Sequence, residues 1–256
     1  MISKLRPRII PTLLLKDDSL VKTVQFKKYS YIGDPVNTCR IFNELEVDEL
    51  CFLDIFCTLE KREPNYELLA EIASECFMPL SYGGGIDSLS KAEKIFKIGF
   101  EKVVINTSMF TNPSLIEEIT QVYGNQSLIA SVDVKKNLFG RYEVYSLHGT
   151  RNEKQDPVDF VKEIENRGAG EILLNNIDRE GTWRGFDVEL IKKITGASNL
   201  PLIASGGAGN VDDISIAITQ GGCSAVALGS TVVYQQKGMG VLVNFPDIDK
   251  LNSIYE

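Results

Sequence analysis

IASVDVKK, at residues 129–136, repeats the pattern of IIPTLLLKDD at residues 9–18. Laying Ile10 on Ile129 sets Thr12 on Ser131, Leu13 on Val132, Leu14 on Asp133 and Lys16 on Lys135. Both are apolar runs of strand length, and such runs recur along the chain: PRIIPTLLL (7–15), LCFLDIF (50–56), MPLSYGG (78–84), KVVINTS (102–108), SLIASVDV (127–134), EILLNNID (171–178), LPLIASGG (200–207) and SAVALGS (224–230). Segments such as PVNTCRIFNELEV (35–47), LSKAEKIFKIG (89–99) and DPVDFVKEIENRG (156–168) separate them, with apolar residues three and four apart and Gly near the end in two of the three. Strands this apolar, each followed by a crossover helix, imply a parallel sheet covered by helices. Eight of them at this length imply an α/β fold, a single (β/α)8 TIM barrel. A doubly wound open sheet is the alternative.

The repeat extends beyond the opening pair. SYGGGI (81–86) and ASGGAG (204–209) stand at the same separation as INTSM (105–109) and LGSTV (228–232). The chain therefore reads as one domain, residues 1–256, made of two half-barrel repeats at about 1–125 and 126–256. Each half ends in a pair of strand ends rich in Gly, Ser and Thr. Glycine there lets backbone N–H groups approach an anion, and the helix start that follows adds partial positive charge. Two phosphate sites facing each other across the mouth are expected, Gly83, Gly84, Gly85, Asn106 and Thr107 on one half and Gly181, Thr182, Gly206, Gly207, Gly229 and Ser230 on the other. Glycines serving only the βα turns are the alternative reading.

Composition limits the partners. The 256 residues are 43% hydrophobic, enough for one sizeable core, and the net charge of −8 without a long Lys/Arg run argues against nucleic acid or anionic membrane as a partner. A phosphorylated small molecule and protein partners are expected instead. Five cysteines, at 39, 51, 57, 76 and 223, lack CxxC spacing. They are expected as reduced, packed thiols of a cytoplasmic protein, with no metal site and no cofactor. The N-terminal MISKLRPRIIP is too polar for a signal peptide, and no window approaches the length of a membrane span.

Eight motifs then carry a resemblance: RIIP (8–11), FLDI (52–55), GGGI (83–86), INTS (105–108), NPSLI (112–116), RGAGEILL (167–174), IDREGT (177–182) and IASGGAG (203–209). Together they resemble the cyclase subunit of imidazole glycerol phosphate synthase, HisF, over nearly the whole chain. The resemblance implies that ammonia from a separate HisH-like glutaminase, held as a heterodimer, enters the bottom of the barrel. It then crosses the interior and reacts at the top with a ribulosyl-formimino ribonucleotide carrying a phosphate at each end. It also implies two aspartates, at the ends of strands one and five, as acid and base. Arg8, Glu49, Lys102 and Glu171, each just before strands one, two, four and six, match the family's charged gate for ammonia. An ion-pair plug that only closes the barrel is the alternative.

Asp133 holds the strand-five position, but its mate on strand one is Leu14, which cannot exchange a proton. A positioned acid or base is worth roughly 10²–10⁴-fold in rate, so cyclase chemistry is expected to be weakened. Asp17 or Asp18 could stand in, although both lie beyond the strand end. His148, in YSLHGT, is the only histidine and is expected in solvent, with acid–base work as its alternative. Lys22 matches the family's loop lysine, and residues 16–35 are expected as a mobile lid, of which KKYSYIGDP (27–35) could equally serve as a docking face for a third protein. The combination is similar to HisF-like proteins of bacterial surface-polysaccharide pathways that install acetamidino groups, in which an ATP-dependent sugar amidotransferase is a further partner. The leading expectation is thus an ammonia-channelling subunit of a glutamine amidotransferase complex. A working cyclase, or lyase, of histidine biosynthesis is the second, and a HisA-type isomerase is a poorer third.

Overall fold

A computed structural model of the chain describes residues 7–246. The ends of the expected domain, residues 1–6 with most of the N-terminal stretch read for a signal peptide and residues 247–256, lie outside the described residues. Eight parallel strands form the centre: β1 (Arg8–Lys16), β2 (Leu50–Asp54), β3 (Leu80–Gly83), β4 (Lys102–Ile105), β5 (Leu128–Lys136), β6 (Glu171–Asn176), β7 (Leu202–Ser205) and β8 (Ala225–Leu228). Each pairs with the next in chain order, and β8 returns to β1 with Pro11 opposite Leu228. That last pairing closes the sheet into a (β/α)8 barrel and excludes the open doubly wound sheet.

Among the described residues seven helices of eight or more residues wrap it, α1 (Pro35–Glu44), α2 (Tyr66–Glu75), α3 (Leu89–Ile98), α4 (Leu115–Tyr123), α5 (Pro157–Asn166), α6 (Val188–Thr195) and α7 (Val211–Thr219), and single turns of helix, Ser108–Thr111 and Ser230–Val233, follow β4 and β8. Their starts are set by local chemistry. Asp34 and Asp156 cap α1 and α5 ahead of a proline at the first helical turn, where no N–H is needed. Asn210 and Asp213 cap α7 reciprocally. Alternation along the strands divides the core in two. Ile10, Cys51, Val104, Ile129, Leu173, Ile203 and Ala225 fill the bore, while Ile9, Phe52, Tyr82 and Val103 face outward into the layer shared with the helices. Burying each large aliphatic side chain contributes about 1.5–3 kcal/mol, so both layers hold the closure.

The segment read as a lid takes regular structure, and one expectation is corrected. Residues 16–35 are an antiparallel hairpin, Ser19–Val24 with Lys27–Gly33, that prolongs β1 through Leu14 opposite Val21. The β-branched run Val21, Thr23 and Val24 favours a strand, and Leu20 and Val21 are buried against the barrel top. β5 continues in the same way into a strand over Tyr142–Ser146, with Asp133 opposite Tyr145. The expectation of five reduced cysteines is the one corrected, because Cys39 on α1 and Cys76 at the end of α2 are joined as a disulfide, with Cα atoms 6.4 Å apart. Packing of α1 beside α2 brings together two residues that spacing alone does not relate. Cys51, Cys57 and Cys223 are buried free thiols, as expected.

Candidate functional site

The C-terminal ends of the strands enclose a cavity of about 410 Å³. Gly83, Gly84, Gly85, Asn106 and Thr107 line one side of it, and Gly181, Gly206, Gly207, Gly229 and Ser230 the other. The structure thus gathers both expected clusters around one space. Thr182 alone does not line it; its hydroxyl donates to the Arg179 carbonyl at 2.7 Å. Gly84 shows why glycine is required: at φ 134° a Cβ would stand 2.6 Å from the Cβ of Asp54. On this side the Gly85 N–H donates to Thr58 Oγ1 at 3.1 Å, and Asn106 Nδ2 donates to the Ser131 carbonyl at 2.9 Å.

Cations not singled out in the sequence surround the same side. Arg62 donates to Asp54 Oδ1 at 2.7 Å, and Lys91 pairs with Asp87 at 3.0 Å and Glu63 at 3.2 Å. Burial pushes the Asp54 carboxyl up, against the pull of Arg62 and the backbone N–H groups of Phe56 and Cys57. These cations lie on the loop after β2 and on α3, far apart in sequence from the glycines. Only the closed barrel relates them.

On the opposite side the hairpin after β1 crosses the mouth. Lys22 forms a buried ion pair with Glu180 in the loop after β6, and its Cε would lie 2.9 Å from a Cβ placed on Gly229. Gly229 therefore leaves room for the lysine stem. At the hairpin turn Phe26 donates its N–H to Glu180 Oε2 at 3.2 Å and stacks on His148, ring centroids 5.0 Å apart. His148 is half-buried at the cavity wall rather than solvated, and desolvation lowers its pKa below the ordinary 6.5.

Asp133 and Leu14 both line the cavity. Asp133 is 7% exposed, and burial pushes its carboxyl up to about 7, offset in part by hydrogen bonds from Asn175 and Ser131. Asn175 is its register partner on β6, an inward position that the alternation Glu171, Leu173, Asn175 could have revealed. Neither stand-in for the missing strand-one carboxylate is in place. Asp17 pairs with Lys16 at 3.1 Å, its side chain 65% exposed, and Asp18 accepts from Asn65 at 2.7 Å; neither lines the cavity.

At the other end of the bore the four charged residues close into a ring. Arg8 pairs with Glu49 at 2.6 Å and with Glu171, and Lys102 pairs with Glu49 at 3.2 Å and Glu171 at 3.0 Å. Each carboxylate thus meets both cations, which half-buried charges require. Asp48 accepts the Ile9 N–H beside the ring at 3.0 Å. Between ring and cavity lie the apolar layer around Ile10, Val104 and Leu173 and then inward Thr12, Ser131 and Asn175.

The model of the histidine biosynthesis protein family matches residues 8–238. A Pseudomonas aeruginosa protein provisionally named imidazole glycerol phosphate synthase subunit hisF2 is 49% identical over 247 residues, which cover 96% of this chain and 98% of that one. A Vibrio vulnificus protein with the provisional name hisF3 is 45% identical over 243 residues, 94% of each chain. The imidazole glycerol phosphate synthase subunit HisF of Leptospira biflexa is 40% identical over 228 residues, 89% of each. No helix among the described residues is long and apolar enough to cross a membrane.

Proposed function

The chain belongs to the histidine biosynthesis protein family and is HisF-like, and from that premise we propose that it is the barrel subunit of a glutamine amidotransferase complex. It receives ammonia from a HisH-like glutaminase seated on the ring face and conducts it through the bore to the mouth. The observation that carries the reading is the contrast between the two ends. The ring of Arg8, Glu49, Lys102 and Glu171 is complete, whereas the mouth sets Leu14 where proton transfer opposite Asp133 needs a carboxylate. Ammonia reception is kept and cyclisation is weakened, so the ammonia goes to an acceptor on another protein. We assign that acceptor to acetamidino-sugar synthesis for surface polysaccharide, with an ATP-dependent sugar amidotransferase as third partner in the cytoplasm.

The mouth glycines remain suited to a ligand with phosphate at both ends. A specific observation favours a second reading, active cyclase of histidine biosynthesis: Asp133, with a pKa of about 7, is placed for acid–base work near neutral pH.

Co-purification tests the leading reading. The HisH-like glutaminase should bind the barrel with an interface of roughly 1,200–2,000 Å², survive gel filtration, and hydrolyse glutamine faster when bound. Absence of both binding and stimulation would remove it.

A further inference from the structure

Asp133 is a buried carboxyl without a counter-ion: among the described residues no lysine, arginine or histidine pairs with it. The other charged groups facing the cavity are already engaged, Lys22 with Glu180, Arg62 with Asp54 and Lys91 with Asp87. Lys61 is exposed at the rim, and His148 is held in its stack with Phe26. Beside Asp133 the side-chain carbonyl Oδ1 of Asn175 is buried and has no hydrogen-bond partner. The two residues are register partners on adjacent strands, so their side chains point the same way, into the bore below the mouth. Asp133 is hydrogen-bonded by Asn175 and Ser131 but has no cationic partner among the described residues, and the carbonyl Oδ1 of Asn175 has no donor, so the pair leaves acceptor capacity unmet in a buried place. One carboxylate balances a single positive charge and the carbonyl accepts an N–H, so the acceptor set suits a singly charged, hydrogen-bonding cation.

We propose that Asp133 and Asn175 form a binding site for ammonium, the last station of the bore before the mouth. The proposal deepens the reading above and rests on it for its purpose, since ammonia delivered through the ring arrives at this point. The step balances simply. Neutral ammonia meets the protonated Asp133 carboxyl, the carboxyl O–H breaks as a new N–H forms, and an ammonium–carboxylate pair results. Asn175 Oδ1 accepts a second N–H. Return of the proton to Asp133 releases neutral ammonia toward the acceptor at the mouth. Leu14, across the cavity, contributes no competing charge, so ammonia is held on one side of the bore only.

The test uses the barrel alone, without glutaminase, following the Asp133 side-chain carboxyl by ¹³C NMR across pH in ammonium chloride, potassium chloride and tetramethylammonium chloride at equal ionic strength. A cation in contact with a carboxylate lowers its pKa by about one to three pH units. Ammonium should do this, and potassium and tetramethylammonium, which donate no hydrogen bonds, should not. Asn175→Ala should raise the ammonium concentration needed about tenfold or more, as expected for losing a hydrogen bond to a charged donor. Identical titrations in ammonium and potassium overturn the proposal with the unaltered protein alone, whatever the folding of the variant. An ammonium-specific shift in a barrel that binds no glutaminase would keep this site and remove the channel reading. The reverse pair of results would do the opposite.

Discussion

Lys22 and Glu180, 158 positions apart, form a buried ion pair that ties the hairpin after β1 to the loop after β6. The same carboxylate accepts the Phe26 N–H at the hairpin turn at 3.2 Å, so Glu180 holds the hairpin at two points. Removing one partner of a buried pair leaves the other uncompensated, at a cost of about 3–5 kcal/mol. Glu180→Ala should therefore release the hairpin while the barrel stays folded. Amide exchange over residues 19–24 should quicken about a hundredfold or more, with β4 and β5 unchanged. Equal protection in the variant would show that apolar packing of Leu20 and Val21 fixes the hairpin instead.

The ring at the floor makes a second prediction. Arg8→Ala leaves Glu49 and Glu171 with Lys102 alone, and the expected loss is up to about 3 kcal/mol, the low end for buried pairs because one cation remains. In complex with the glutaminase this variant should lose coupling, so glutamine-driven transfer falls while transfer fed by added ammonia is unchanged. A parallel fall in both would mark the ring as a structural plug.

The barrel was legible in the sequence because its strands are buried on both faces, which leaves near-continuous apolar runs such as KVVI and EILL. The hairpin was not, because it lies over the mouth with polar Lys22 buried against Glu180, a partner that sequence spacing cannot reveal. Gly83, Asn106, Gly207 and Ser230 were found from their repeat, and the cavity gathers them. Arg62, Lys91, Glu180 and Asn175 were missed for a common reason. Each is an ordinary polar residue in a loop, helix or strand end; closure of β1 through β8 brings Arg62, Lys91 and Glu180 to the mouth, while Asn175 could have been read from the alternation along β6. The disulfide between Cys39 and Cys76 likewise depends on how α1 and α2 pack.

A third prediction concerns pH. Asp133 has an ordinary value of 3.8 unfolded and about 7 folded, so the native state holds the proton more tightly. Its contribution to stability is fully present below about pH 4 and is lost as pH rises through 7. At 1.36 kcal/mol per pH unit the loss is on the order of 4 kcal/mol. Asp133→Asn should thus be more stable than the unaltered protein at pH 8, and the difference should vanish below about pH 4 in denaturant titrations. A constant difference across that range would mean that Asp133 does not titrate as described.

The account rests most on Leu14, and the direct measurement is steady-state turnover of the ribulosyl-formimino ribonucleotide with added ammonia, for the unaltered barrel and for Leu14→Asp. One positioned acid–base group is worth roughly 10²–10⁴-fold, so the unaltered protein should fall below a HisF carrying aspartate at that position by at least this factor. Leu14→Asp should recover part of the rate, since the symmetry-related strand end already carries Asp133, and Asp133→Asn should abolish the recovery. Turnover by the unaltered protein equal to that of such a HisF would contradict the account and assign the chain to histidine biosynthesis.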